Sequence, residues 1–527
     1  MEVHGENAFK IRGYQSAINS IEREGKPLAN LNLDELQKFP AIGKGIAEAI
    51  LSIQEAGSHE LLDKLLEQTP KGILEILEIK GLGPKKIKTL WKELDITSTH
   101  ELMEACQSGQ VAKIKGFGQK TQDSIIQALE YKASNQGKWL YADIEQTAKA
   151  LFNRLTESLA KDKVAIVGSF EMEAEIIEGL TFLIGSDDPK GSLATINKVD
   201  GIKQDKSKMS PYRWEGQLEE PEIHLLITIV PTEDFIKQKL LKSASKAHLL
   251  LPTENGLPLG ELFYKGKFET EEQAYEAAGL PYIPAPLREG TGELDWVKTH
   301  SLDELLTLED LKGPLHEYFG IADHSRSAFY ANGLDEDRIY KQHQEIDGIN
   351  ESLKPFRVFK GIESDILTDG SLDYSDEVLA SFDYVVASVH SGLSMDINKA
   401  TARLLKAIEN PYTTILGHPT GRLLLRREGY PIDHRAVIDA CAVHEVVIEI
   451  NANPWRLDLD WRWVRYAMDK GVLLSINPDA HEKAGVAHMK FGVIVGRKGG
   501  LTKAMTLNTK SREELANYFE ERKRKKQ

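Results

Sequence analysis

His316-Glu-Tyr-Phe-Gly-Ile-Ala-Asp-His-Ser325 decides how the C-terminal half of this 527-residue chain folds. An apolar, strand-like run, Tyr318 to Ala322, ends abruptly in Asp323-His324-Ser325. The same arrangement recurs downstream. Val-Phe-Lys-Gly-Ile runs into Glu363, Val-Val-Ala-Ser-Val into His390, and Thr-Thr-Ile-Leu-Gly into His418. Leu-Leu-Ser-Ile-Asn-Pro then runs into Asp479-Ala480-His481. In a parallel barrel, catalytic groups sit at the C-terminal ends of the strands. Strand ends carrying imidazole and carboxylate therefore describe a cluster of metal ligands at one mouth of such a barrel. Those donors suit Mn²⁺, Zn²⁺ or Fe²⁺ better than Ca²⁺. A lone buried histidine is more often a hydrogen-bonded core residue; its recurrence in successive β-units argues against that here.

Toward the N-terminus, residues 1 to about 130 read as helices joined by short glycine turns. Three turns look alike: Phe39-Pro-Ala-Ile-Gly43-Lys44-Gly45, Ile79-Lys-Gly81-Leu-Gly83-Pro-Lys85-Lys86 and Ile114-Lys-Gly116-Phe-Gly118-Gln-Lys120. They recur at intervals of 35 to 38 residues, the mark of an internal repeat. A Gly-x-Gly turn brings backbone N–H groups to the start of the next helix, where the helix dipole helps them hold a phosphate. Lys44, Lys85, Lys86 and Lys120 lie beside those helix starts, although glycine also serves plain packing.

Composition limits the alternatives. A net charge of −15 argues against wholesale polyanion binding, so any nucleic-acid surface must be local. Two cysteines, Cys106 and Cys441, form no disulfide framework, which fits a reducing cytoplasm. No signal-peptide core and no run near 18 apolar residues is present, so a cytoplasmic protein without membrane contact is expected.

The turns resemble the helix-hairpin-helix module, which grips DNA backbone without reading sequence. Asn7-Ala-Phe-Lys-Ile-Arg-Gly-Tyr14 is similar to the opening of family X DNA polymerases. That resemblance continues through a helical pattern at 140–155 and the strand Val164-Ala-Ile-Val-Gly168-Ser169-Phe170. It reaches Ser245-Lys-Ala-His248 and Gly279-Leu-Pro-Tyr-Ile-Pro-Ala-Pro-Leu-Arg-Glu-Gly290, which match the thumb. In the family, Gly-Ser opens a nucleotidyltransferase site whose three aspartates hold two divalent ions. Here those positions read Gly179, Thr181 and Leu226, and Glu171 and Met172 replace the arginines expected after Gly-Ser. Glu173, Glu175, Glu178, Asp187 and Asp188 lie nearby without the required spacing. The resemblance implies a polymerase fold without polymerase chemistry.

From about 293 to 508 the pattern is strand-helix-strand. Gly361-Ile-Glu-Ser-Asp, Ala387-Ser-Val-His390, Gly417-His418-Pro, Glu449-Ile-Asn-Ala-Asn-Pro454 and Asn477-Pro-Asp-Ala-His481 resemble the polymerase-and-histidinol-phosphatase (PHP) domain. Bacterial family X polymerases carry that domain at their C-terminus, as a distorted (β/α)₇ barrel with manganese-dependent 3′-5′ exonuclease activity. The fold class expected is multidomain, α plus α/β. A helix-hairpin-helix region spans 1–136, a degenerate nucleotidyltransferase-like α+β palm 137–235, a thumb-like region 236–292, and a PHP barrel 293–527.

The resemblance also implies roles. Glu363 would bridge two metals, His390 and His418 would complete the second, Asp479 would serve the first, and His324 and His481 the third. Glu363, Asp479 and Arg456 are the catalytic candidates, with Arg456 contacting phosphate or making a salt bridge. Asp323 orients His324 or caps the next turn. The family's first strand ends in His-x-His, followed by an acidic loop and a helix. In this chain Leu311-Lys-Gly-Pro-Leu-His316 runs straight into Tyr318, leaving no room for the dozen-residue crossover that parallel neighbours need. The first β/α unit is therefore missing. His316 lies eight residues before His324, about 26 Å along an extended strand, and is not a ligand. One or two ions rather than three are expected, Mn²⁺ first, with Zn²⁺ or Fe²⁺ as alternatives. Two readings stay open: a DNA-binding metal-dependent phosphoesterase or 3′-5′ exonuclease acting in repair, and a catalytically silent DNA-binding repair accessory. The sequence names no protein partner.

Overall fold

The computed structural model describes residues 1–527 apart from 25–27, 29–30, 80–81, 209, 314–315 and 527. It divides into two compact units, Met1–Gln136 and Gly137–Gln527.

The first unit is helical. Helices Ala8–Glu24, Leu33–Leu36 and Lys44–Ala56 enclose Ala17, Leu36, Ile42 and Ala47. Helices Lys71–Leu77, Pro84–Leu94, Thr99–Gln107 and Gly118–Ser134 enclose a second core of Ile73, Ile76, Ile87, Leu90, Leu102 and Ile125. The turns align in a register that the glycine pairs alone disguise. Ala41 (φ 60°) and Gly116 (φ 92°) both take the left-handed conformation. Gly43 and Gly83 are the extended residues that cap the following helices. Ile42, Leu82 and Phe117 between them are buried. The first turn is thus Ala41-Ile42-Gly43, in register with Gly81-Leu82-Gly83 and Gly116-Phe117-Gly118. Gly45 is a correction: it is the second residue of its helix and no part of the turn. The sequence hid this because alanine occupies a position that costs an L-residue about 1–2 kcal/mol. Gly81 lies outside the described residues.

In the second unit, helix Tyr141–Ser158 buries Ile144, Ala148, Leu151 and Leu155, a stripe at helical spacing. It packs on a five-stranded sheet of β1 (Lys163–Val167), β2 (Leu180–Gly185), β3 (Ile202–Gln204), β4 (Arg213–Leu218) and β5 (Ile223–Val230). The strand order is β1-β2-β5-β4-β3, with only β2 and β5 parallel. A thumb-like group of helices follows, cored by Leu240, Leu259, Phe263, Tyr275 and Trp296.

The C-terminal part is a six-stranded, all-parallel sheet in simple sequence order. Its strands are β6 (Tyr318–His324), β7 (Arg357–Asp365), β8 (Tyr384–Ser388), β9 (Ile415–Leu416), β10 (Val447–Asn451) and β11 (Leu474–Asn477). Among the described residues no strand joins β6 to β11, so the barrel is one strand short of closure. Helix Arg512–Lys526 plugs its lower end. Phe519 stacks on Tyr384 at 5.3 Å between ring centroids and meets Phe359 edge-on at 5.4 Å. At the outer edge of β11, Thr506 forms a parallel bridge with Leu474, and the Asn508 carboxamide accepts from Ile476 N–H at 3.2 Å and donates to Ile476 C=O at 2.5 Å.

The palm and barrel are tied together by ionic contacts. Arg422 reaches Glu175 before β2 and Asp460 in the barrel, both at 2.5 Å. Lys498 donates to the carbonyl of Met172 at 2.7 Å and pairs with Glu289 at 2.5 Å. No described helix is long and apolar enough to cross a membrane.

Candidate metal centre at the open end of the barrel

Strand register brings the cluster together. His324, the last residue of β6, pairs with Glu363 on β7, and Glu363 in turn pairs with Val386 on β8. His390 and His418 follow the ends of β8 and β9 by two residues, and Asp479 follows β11 by two. The Glu363 carboxylate is central and 8% exposed. Its Oε2 lies 3.2 Å from His324 Nδ1; its Oε1 lies 3.3 Å from His390 Nε2 and 3.2 Å from His418 Nε2. Two donors each about 2.1 Å from one ion are themselves roughly 3.0–3.4 Å apart, so these separations are those of groups sharing an ion. Both ring nitrogens of His418 and Nδ1 of His324 are buried without a hydrogen bond among the described residues. Leaving such atoms unsatisfied costs about 1–3 kcal/mol each; a metal accepting the lone pair of one ring nitrogen on each histidine removes part of that cost. The residues present therefore fit a transition-metal ion.

Neighbours orient the ligands. His390 Nδ1 meets Asp365 Oδ1 at 2.6 Å, and Ser327 Oγ donates to the other Asp365 oxygen at 2.7 Å. A carboxylate on the far nitrogen is the usual support of a metal-binding imidazole. Burial alone would lower the His390 pKa, but Asp365 and Glu363 push it up to about 9. Burial likewise favours a neutral Glu363, yet His390 and His418 hold its carboxyl well below the usual range. Burial depresses His324 despite Glu363. The His418 backbone N–H donates to Glu449 Oε2 at 2.7 Å, and Asn477 donates to Glu449 Oε1 at 2.9 Å. Burial pushes Glu449 up to about 7 against the pull of His418.

The remaining candidates sit apart from this group. Asp479, at φ 48°, is held by Asn451 Nδ2 at 3.1 Å and Arg456 Nε at 3.3 Å. Arg456 thus makes the salt bridge, the second of its two expected roles. His481 stands at the rim, its side chain 68% exposed and its ring 5.8 Å from that of His324. Asp323 bonds Gln342 on the following helix, so it does not orient His324. His316 is exposed in the turn before β6, at the end of that strand away from His324.

For protein stripped of metal by a chelator, the His390 proton has a definite consequence. Its raised value stabilises the fold fully below about 6.5, and that contribution is lost as pH rises through about 9. Metal uptake must displace the same proton, so affinity should climb about tenfold per pH unit until about pH 9. A competitive chelator titration across pH 6–9 checks this; a flat profile would contradict it.

Comparison with known proteins places the chain. A helix-hairpin-helix domain model matches residues 1–59, and a SAM-like helix-hairpin-helix tandem model matches residues 73–131. The DNA polymerase/3′-5′ exonuclease PolX of Bacillus subtilis is 31% identical over 98% of this chain and 96% of that protein. The chain belongs to the PolX family. A probable phosphatase of Thermoanaerobacter is 30% identical over 33% of this chain and 73% of its own length. A solved polymerase beta from Leishmania infantum shares 16% identity with a TM-score of 0.24, covering 42% of this chain and 98% of its own. The Bacillus PolX alignment runs to 562 positions, more than the 527 residues available, so that relative carries segments this chain lacks.

Thr181 on β2 pairs directly with Leu226 on β5. A side chain at Gly179 would bring its Cβ within 2.9 Å of the His224 carbonyl oxygen, so an aspartate there would force β5 to move. On β4, Glu215 pairs with Leu226 in register and is ringed by Arg213, Lys208 at 3.2 Å and His224 at 3.1 Å. At the Gly-Ser turn, Ser243 Oγ accepts from Gly168 N–H at 3.0 Å and donates to Glu171. Glu171 also pairs with Lys239 at 2.8 Å. The chain's own carboxylate occupies that corner.

Among the hairpin lysines, Lys85 and Lys120 are exposed and occupy equivalent places two residues after Gly83 and Gly118. Lys44 stands 3.9 Å from Glu48, and the Lys86 ammonium lies over the Phe117 ring at 5.7 Å. Asp365, Glu449, Asn451 and Asn477 stand in the quoted motifs but carry no assigned role in the sequence. Two-residue periodicity carried the signal, since Asp365 follows Glu363, and Asn451 follows Glu449, on the same face of its strand.

Proposed function

We propose that this PolX-family chain binds DNA through its hairpins and hydrolyses phosphoesters at 3′ ends in its PHP barrel, as a cytoplasmic repair enzyme without polymerase activity. The observation that carries the reading is Glu363, whose two oxygens face His324 on one side and His390 with His418 on the other. Glu363, His390 and His418 would hold one transition-metal ion, Mn²⁺ before Zn²⁺ or Fe²⁺, with Asp479 toward a second and His324 and His481 flanking. When bound, the metal supplies a hydroxide nucleophile at neutral pH and neutralises phosphate oxygens. Asp365 fixes the tautomer that leaves His390 Nε2 free to bind, and Asn451 and Arg456 fix Asp479. One or two ions rather than three follow from the absent first unit. The domain boundaries 1–136, 137–235, 236–292 and 293–527 belong to the same proposal.

Two experiments test it. Nucleotide incorporation on a gapped primer-template should be undetectable with Mg²⁺ or Mn²⁺, because Gly179, Thr181 and Leu226 offer no carboxylate. Template-directed extension that survives rigorous purification would overturn this. DNA affinity should fall steeply with salt and hardly vary with sequence. Lys85→Glu and Lys120→Glu should each lower the slope of log K against log salt by about one. A filter-binding titration insensitive to salt would remove the hairpins from DNA binding. The silent-accessory reading is favoured by one observation, the engagement of Asp479 by Arg456 rather than by the histidine cluster.

A further inference from the structure

A cavity of about 640 Å³ fills the interior of the open barrel. It is lined by every residue of β6 from Tyr318 to His324 and by consecutive residues 475–481 at the end of β11. Closed parallel barrels are packed with side chains; here the missing strand leaves the interior hollow. The volume lies within the range of small-ligand pockets, about 300–1,000 Å³. Tyr318 to His324 spans roughly 20 Å at about 3.3 Å per residue, long enough for a flat body with a phosphate at one end.

The walls are graded. At the mouth stand His324, Glu363 and Asp479; at the floor lie Phe359, Tyr384 and Phe519. The Tyr384 ring lies across two glycines: a Cβ at Gly320 would come within 2.6 Å of its hydroxyl, and one at Gly361 within 2.3 Å of its ring. On the β11 side a peptide strand is disfavoured as the occupant, because Asn508 already takes the outward N–H and C=O of Ile476. What remains is a ligand with an anionic end for the cluster and an aromatic end for the floor. Flat bases stack on such aromatic surfaces whatever their identity.

We propose that the hollow barrel is a single-nucleotide pocket, which takes the terminal nucleotide of a strand, or a free nucleoside monophosphate, with its phosphate at the Glu363 cluster and its base toward the aromatic floor. The placement of the phosphate rests on the metal centre proposed above; the base pocket does not. Ala322 lies on the interior face of β6 between Gly320 and His324, and Val386 projects from β8 into the same cavity. Ala322→Phe would therefore fill it from the β6 wall at a residue that is no metal ligand, and Val386→Phe would fill it from β8 beside Glu363, its in-register neighbour, so metal content is read for both.

Equilibrium dialysis of the full chain with dAMP and with 2′-deoxyadenosine, alongside elemental analysis and thermal unfolding, tests this. The expected result is one dAMP per chain, weakened tenfold or more by either substitution, with metal content unchanged. Deoxyadenosine should bind more weakly and lose its binding to the same substitutions. If the protein holds no metal but deoxyadenosine binding still responds to Ala322→Phe, the metal reading fails and the pocket stands. If metal-loaded protein binds no dAMP, or binds it equally after both substitutions in variants that keep the wild-type unfolding transition, the pocket is overturned. Ala322→Leu narrows the same wall more gently, and its dAMP affinity decides the matter should both phenylalanine variants unfold.

Discussion

His390→Ala is expected to strip the protein of tightly bound metal and to lower Mn²⁺-stimulated release of nucleotides from 3′ ends by more than about 100-fold. The reasoning is geometric. His390 is the only ligand in the cluster that faces Glu363 through one nitrogen and a second carboxylate, Asp365, through the other. Removing it leaves two buried acids with one neighbour fewer to balance them. Asp365→Ala, which removes only the support, should cost 10- to 100-fold. His316→Ala should change neither metal content nor release, because that side chain is exposed before the start of β6. Elemental analysis and a 3′-end release assay read all three. Equal damage from His316→Ala and His390→Ala would sink the account of the missing first unit. Wild-type protein that binds no metal would make the silent accessory the better reading.

Arg422→Ala should destabilise the palm and barrel together by about 3–5 kcal/mol, the usual cost of leaving a buried charge without its partner. Arg422 is largely buried between Glu175 and Asp460, and its Nε donates to the Arg456 carbonyl at 2.8 Å. Truncation leaves the carbonyls of Arg456 and Leu457 without this donor and leaves Glu175 with Arg462 at 3.7 Å, while Asp460 keeps Arg462 at 2.9 Å. Urea unfolding should show a lower midpoint with palm and barrel still melting in one transition. A loss below about 1 kcal/mol would mean that the pair behaves like a surface ion pair.

Much of this was legible in the residues. Alternation of apolar runs with terminal His, Asp and Glu placed β6, β7, β8, β9 and β11 and brought His324, Glu363, His390 and His418 to one mouth, because strand direction fixes where chain ends emerge. Among the described residues no strand precedes β6 in the sheet, as the sequence leads one to expect, since no crossover fits between Lys312 and Tyr318. What escaped depends on side-chain direction across space. Arg456 turns toward Asp479 and Asp323 toward Gln342, and a one-dimensional pattern holds neither choice. Ala41 escaped for another reason: its left-handed backbone is set by burial of Ile42, and glycine was the wrong residue to search for.

An unclosed barrel has an adhesive rim, because the outer edge of its last strand offers amides and carbonyls to any extended chain that drifts past. Most proteins blunt such a rim with charge, proline or a bulge. Here the segment through Thr506 and Asn508 does it: Thr506 bridges Leu474, and beside Ile476 a peptide group is imitated by the carboxamide of Asn508. The same residue offers its carbonyl to the Lys312 N–H at 2.9 Å, so the cap is fastened to the segment leading into β6. Cover for that edge then comes from residues remote from every group proposed to do chemistry.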